Sequence, residues 1–159
     1  MDSKTLVTYC GLYCDLCSDR TKIPERARAL MEEMKKVNYE DWGPGALEGF
    51  SEFWSLLKNR TIVEDDKCCR TGKCGHPSCP IRKCAMERGI YVCPECEDYP
   101  CVRIKKFGKS EPMLLHDGER IKEIGLDAWV IEQEGRKRAN FCYSDIRCGP
   151  VEEPWEVDS

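Results

Sequence analysis

Three cysteines fall in eight residues, Cys10, Cys14 and Cys17 of "YCGLYCDLC", and eight more lie between Cys68 and Cys101. Thiolates are the ligands that zinc and iron–sulfur clusters select, and short spacings let one loop give two ligands to one centre. Within "CCRTGKCGHPSCPIRKCAMERGIYVCPECEDYPC", Cys93-Pro-Glu-Cys96 is the clearest element, a knuckle that turns both sulfurs toward one ion. Cys101 follows as a third ligand, and Cys84 supplies a fourth from a short helix over "PIRKCAMERG" that Gly89 ends. Cys74 and Cys79 bracket His76 in a loop of donors, with His76 open between ligand and solvent-facing residue. Of the adjacent pair Cys68 and Cys69, one ligates and the other packs or reacts. Cys142 and Cys148 are spaced too loosely for a knuckle, and either close a site with distant thiols or pack in the interior. His116, outside every cysteine group, is read as a structural or helix-start residue.

The C-x3-C-x2-C spacing of Cys10, Cys14 and Cys17 is also the one by which radical S-adenosylmethionine enzymes hold their cluster. Such enzymes need a partial (β/α) barrel, and strand signals here are confined to a few residues, Leu6 to Thr8 and Ile90 to Val92. The spacing is read instead as a metal-binding loop, completed by a thiol from the central cluster or holding three irons of a cubane. The C-x-x-C pair as a redox dithiol lacks the βαβ setting of thioredoxins. No phosphate loop or serine elbow occurs, so any catalysis would fall to metal or thiol, and whether the chain is an enzyme stays open.

Thirteen cysteines in 159 residues, about 8%, mark a chain held by cross-links or metals as well as by packing. The odd count and the lack of a signal-peptide pattern near Met1 favour reduced thiols in a cytoplasmic protein. No apolar run is long enough to cross a membrane. The net charge of −4 disfavours nucleic acid. Each tetrathiolate zinc site adds about two more negative charges, so Lys67, Arg70, Lys73, Arg82, Lys83, Arg88, Arg103, Lys105 and Lys106 are read as screening thiolates. A nucleic-acid surface on these side chains ranks last, because no aromatic residues alternate with them.

The elements that must position these thiols are helical. Ile23, Ala27, Leu30, Met31, Met34 and Val37 recur at helical spacing; "WGPGA" reads as a turn; and Leu47, Phe50, Phe53, Trp54, Leu56 and Leu57 form a second apolar face. These two helices, over about 21–58, are expected to make the hydrophobic core. A short basic helix is expected after Cys101, and helices over 117–139 carry Ile121, Ile124, Ala128 and Ile131 on one face, broken at Gly125, with Asp127 capping the second half. The fold class is mainly α with irregular, metal-stapled Cys-rich loops and little or no sheet. Residues 1–150 form one Cys-rich domain, and the acidic stretch 151–159 is a frayed tail on which only Trp155 offers an anchor.

"YCGLYCDLC", "CPIRKCAMERGIYVCPECEDYPC", "IGLDAWVIEQE" and "YSDIRCG" together resemble domain of unknown function 3795, a family of small Cys-rich proteins of bacteria and archaea. The resemblance runs from about Tyr9 to Gly149. It implies metal binding, zinc by expectation, and no particular activity. Cys10, Cys14, Cys17, Cys69, Cys79, Cys84, Cys93, Cys96 and Cys101 fit the family pattern, whereas Cys68, Cys142 and Cys148 are less typical of it. With Cys74 from the central loop, these nine are the candidate metal ligands.

The first reading is a zinc protein whose metals are structural and which acts by presenting a surface to an unidentified protein partner. The alternative is an iron–sulfur protein, a [4Fe–4S] carrier in electron transfer or sulfur handling with an open iron at the N-terminal motif. Thirteen thiols against two histidines lean toward the alternative, and the absence of a ferredoxin run leans against it.

Overall fold

The computed structural model describes residues 3–64, 67–74 and 76–146, so Cys148, Trp155 and the acidic tail lie outside the described residues. Seven α-helices occur among them and no strand, as the near-absence of strand signals implies; of the two weak signals, Leu6 to Thr8 contributes Val7 to an isolated antiparallel bridge with Tyr13, and Ile90 to Val92 contributes none. The chain divides into two units, one of residues 1–17 with 66–159, the other of residues 18–65.

The cysteine-bearing unit starts with a tight loop. Thr8 N donates to Leu12 O (2.8 Å), Leu12 N donates back to the Thr8 hydroxyl (2.8 Å), and Gly11 turns the chain at φ +99°. A 3-10 turn over Cys14–Leu16 follows. The chain returns through a Cys-rich loop to α4 (Pro80–Glu87), a 3-10 turn (Cys93–Glu95), α5 (Val102–Gly108), α6 (Met113–Ile124) and α7 (Leu126–Arg138). Helix α6 packs on α5, α7 and the Cys93 turn, while α7 packs on the turns Ser3–Leu6 and Cys14–Leu16.

Helix α6 buries Leu114, Asp117, Gly118 and Ile121, the i, i+3, i+4, i+7 stripe of one helix face. Gly118 has to be glycine, since a Cβ there would stand 1.7 Å from the Tyr99 hydroxyl oxygen. Gly125, at φ +80° and ψ 159°, separates α6 from α7. That break resets the helical phase. The buried face of α7 is Trp129, Val130 and Gln133, and the expected Ala128 and Ile131 are exposed. Asp127 does not cap α7 either: Gly125 occupies the N-cap, and Asp127 lies in the first turn, where it pairs with Lys4 at 2.5 Å. There it still favours the helix dipole.

Trp129 and Tyr13 meet edge to face at the centre of this unit, with ring centroids 6.2 Å apart. Val7, Leu16, Val92, Ile104 and Leu114 close around them, and the whole core cluster takes no residue from 18–65. The expectation that the first two helices form the core is thereby corrected. A polar network threads the packing: Arg136 donates to Asp117 (2.7 Å) and to Gln133 (2.9 Å), and Tyr13 N donates to Tyr143 Oη (2.9 Å). The Trp129 indole stands near enough to Asp117 to steady its carboxylate, although its geometry falls short of a hydrogen bond.

The unit of residues 18–65 has three helices rather than two, α1 (Lys22–Lys36), α2 (Tyr39–Ala46) and α3 (Phe50–Arg60). The "WGPGA" stretch ends α2 instead of forming a turn. Pro44 removes one backbone donor from an eight-residue helix, and the rings around it hold the helix in place. Phe50 stacks on Trp54 (5.5 Å) and Tyr39 (6.1 Å), and Tyr39 lies 4.2 Å from Trp42. Gly43 admits the Phe50 ring, which a Cβ would meet at 2.8 Å. Among the described residues of this unit only Pro24, Ala27, Gly43, Phe50 and Leu57 are buried, and Ile23, Leu30, Val37, Leu47, Phe53 and Leu56 of the expected apolar faces are exposed.

Candidate metal centre

Cys84, Cys93, Cys96 and Cys101 line one cavity of about 60 Å³. Each is placed by a local element. Pro80 starts α4 at a position where its missing N–H costs no bond, and Cys84 then lies one turn along. Cys93 N donates to Tyr9 O (2.7 Å), which ties the knuckle to the N-terminal loop, and Cys96 N donates to Cys93 O (2.9 Å), which closes the 3-10 turn. The Tyr99–Pro100 peptide is cis. Cys101 is the N-cap residue of α5, its carbonyl accepting from Lys105 N (2.9 Å).

Four thiols around one cavity repel each other once ionised. Burial first, and then the like charges of Cys10, Cys101, Cys84 and Cys96, push the Cys93 thiol far above its usual range. A divalent cation among them would invert that balance. Arg88 already contributes in this sense, donating to Cys96 Sγ (3.2 Å) and to Asp98 (2.7 Å). The donor set fits a thiophilic ion: four sulfurs, no histidine, and the nearby carboxylate engaged by arginine. Among the described residues no three of these side chains already stand in coordination geometry, so binding would draw the sulfurs inward.

A second group of thiols gathers at the start of α4. Cys79 is the N-cap of this helix, and its Sγ accepts from Arg82 N at 3.5 Å. Cys74 Sγ lies 3.8 Å from His76 O and accepts from Arg82 Nη1 at 3.4 Å. The neighbouring Cys69 first, then the His76 backbone and the Arg82 charge, hold the Cys74 thiol down to about 5, while Cys69 is pushed up in return. Cys10 is buried in the core cluster with Cys69 and Cys93, 3.0 Å from the Thr8 hydroxyl, and burial pushes its thiol up to about 11. The thiols whose charges reach it, Cys69, Cys79 and Cys93, come from both groups.

The remaining thiols separate from these groups. Cys14 opens the 3-10 turn that packs on α7, and Cys17 follows it, exposed. The Tyr13–Tyr143 hydrogen bond brings this turn to the segment that holds Cys142, which is buried and accepts from Ser144 at 3.3 Å. Cys68 is buried with its Sγ 3.7 Å from Thr71 Oγ1. His76 is exposed and lends its carbonyl oxygen to Arg82 (3.1 Å).

The screening role expected of the basic residues holds at Arg82 and Arg88, each of which donates to a sulfur. Arg70 does something else, lying between the rings of Tyr9 (4.3 Å) and Tyr91 (3.7 Å) and donating to Val7 O and Tyr91 O. Sequence reasoning missed the burial of Arg82. A signal for it existed: an arginine three residues after an N-capping cysteine turns back over the loop that precedes the helix.

All twelve described cysteines are free thiols, and no helix among the described residues is long and apolar enough to cross a membrane. No curated protein and no solved structure matches the chain. The family described as protein of unknown function (DUF3795) matches residues 6–106, a stretch that holds eleven of the thirteen cysteines, and the chain belongs to that family.

Proposed function

We propose that this is a metal-binding protein, with zinc as the ion and the metal serving the fold. The observation that supports it is the cavity shared by Cys84, Cys93, Cys96 and Cys101, which come from a helix, a knuckle and a helix N-cap. One ion there would cross-link three elements whose own packing is modest, and its binding energy would be folding energy. The protein then acts in a reducing, cytoplasmic setting by presenting a surface to a protein partner. The exposed apolar residues of 18–65 suit that role, among them Leu30, Trp42, Phe53 and Leu56.

Metal analysis and an absorption spectrum of protein purified without oxygen test this reading. A colourless protein carrying zinc supports it, and Cys96→Ser should then lose about one zinc per chain. A brown protein with iron and acid-labile sulfide would replace it with the iron–sulfur alternative.

A further inference from the structure

We propose that α1 pairs antiparallel with α1 of a second copy of this chain, through the exposed stripe of Ile23, Arg26, Leu30, Glu33 and Val37. The pairing rests on the reading of residues 18–65 as the surface presented to a protein partner, names that partner, and is independent of which metal the cysteines hold.

Ile23, Leu30 and Val37 recur every seven residues along α1 and its C-cap, and they are 41%, 48% and 56% exposed. At about 100° per residue, the five stripe residues fall within an arc of about 80°. That arc lies beside the face on which Pro24 and Ala27 are buried. Helix α1 packs on α2 and α3 within its own unit, and this packing leaves the stripe open. Trp42 lengthens it: the indole Nε1 donates to Val37 O at 3.0 Å, and the side chain is itself exposed. Apolar side chains at seven-residue spacing form the seam along which two helices pack, and a tryptophan at its end supplies an anchor.

Charge selects the occupant. From Ile23 to Val37 the stripe reads apolar, basic, apolar, acidic, apolar. Reversing that order exchanges the base and the acid and alters nothing else. Two such helices laid antiparallel about a twofold axis near Leu30 therefore set Ile23 against the partner's Val37 and Leu30 against the partner's Leu30. Each Arg26 then stands beside the opposite Glu33, which gives two ion pairs across the seam. A parallel pair would instead bring Arg26 to Arg26 and Glu33 to Glu33, an arrangement that like charges disfavour. Glu33 is bonded to Lys36 at 2.6 Å, but both side chains are about two-thirds exposed, and so exposed a pair does not hold Glu33 back from a neighbour. A surface complementary to itself under a twofold is the property of an isologous interface between identical chains.

The 15 residues of α1 make a helix about 22 Å long, so the seam is smaller than a standard interface and the association weak. The test is sedimentation equilibrium of the full-length protein at about 100 µM chain, a concentration suited to such an affinity. Wild type should be a dimer, Leu30→Glu a monomer, and Leu56→Glu, on the exposed side of α3, a dimer still. Arg26→Glu and Glu33→Arg should each raise the dissociation constant at least about tenfold, because each sets like charges across the seam. Mixed in equal amounts, these two variants should form a heterodimer, which also shows that both are folded. A monomeric wild type, or two charge variants that stay apart on mixing, overturns the pairing. A dimer broken by Leu56→Glu and not by Leu30→Glu overturns it while keeping the partner surface within residues 18–65. A dimer that neither substitution breaks removes that surface reading as well.

Discussion

Residues 18–65 and the cysteine-bearing unit solve the same problem in different ways. The first has no cysteine and holds three helices together with one ring cluster around Phe50, leaving eight large apolar side chains exposed. The second buries a continuous core around Trp129 and carries every thiol of the chain. Yet the helices flanking its thiols are short, eight residues in α4 and seven in α5. Helices of that length do not persist by propensity, so their loops must be fixed by something else. The comparison teaches that hydrophobic pattern and structural burden are separable. The segment with the more conspicuous apolar stripes is the one that leaves them open to solvent.

Metal removal should split the two regions most sharply. A chelator should remove stabilisation on the order of 10 kcal/mol per structural zinc, and it should act on one region only. Hydrogen exchange on the intact chain would then accelerate through residues 67–146 while α1, α2 and α3 keep their rates; equal acceleration in both regions breaks the comparison. Next in size, Leu114→Ala in the core should cost about 2–5 kcal/mol, whereas Leu56→Ala, at a side chain 62% exposed, should stay within about 0.5 kcal/mol. Urea unfolding of the two variants measures both.

Two glycines give a smaller contrast. Gly118→Ala places a methyl group against the buried Tyr99 ring and should cost about 1–3 kcal/mol. Gly43→Ala meets Phe50 at 2.8 Å, against 1.7 Å from the Tyr99 hydroxyl at Gly118, so its clash is the milder one; the gain of about 1 kcal/mol in helix propensity is common to both. Thermal melts should therefore rank Gly118→Ala well below Gly43→Ala.

The smallest effect concerns Asp117, whose pKa is raised by burial despite the Arg136 pair. A raised carboxyl takes up a proton on folding, so its ionisation costs stability that is regained as pH falls through the folded-state pKa. Wild type should gain on Asp117→Asn as the pH is lowered from about 7 to about 4. Taking the difference between the two proteins cancels any shared loss of metal, and a gap that widens against wild type would reverse the sign of the argument.

Much of the helical pattern was legible. Gly89 and Gly125 stand where breaks were expected, both at positive φ, and the short helix after Cys101 is present. What failed was phase and partner. The face expected to run from Ile121 to Ile131 is interrupted at Gly125, because a residue at φ +80° and ψ 159° does not pass helical phase onward. Burial of α1 and α3 was misjudged because periodicity states which side chains share a face and is silent on what covers it.

The candidate site divides in the same way. Spacing alone joined Cys93 to Cys96 and suggested Cys101 and Cys84 as companions, since a knuckle and its flanks span only 18 residues. The neighbourhood of Cys10 could not be read so, because Cys69 and Cys79 lie about sixty and seventy residues further along and spacing rules reach only a few residues.

By itself the sequence determined a helical chain rich in reduced-type thiols, with glycine breaks and a local knuckle, all of which depend on contacts between near neighbours. Only the tertiary structure decided which apolar faces are covered, that Arg82 is buried over the loop of Cys69 to Cys79, and that Cys10, Cys69 and Cys93 share one core cluster across a 48-residue excursion. These are long-range pairings, set by how the α4 to α7 core packs against the N-terminal loop, and no local pattern encodes them.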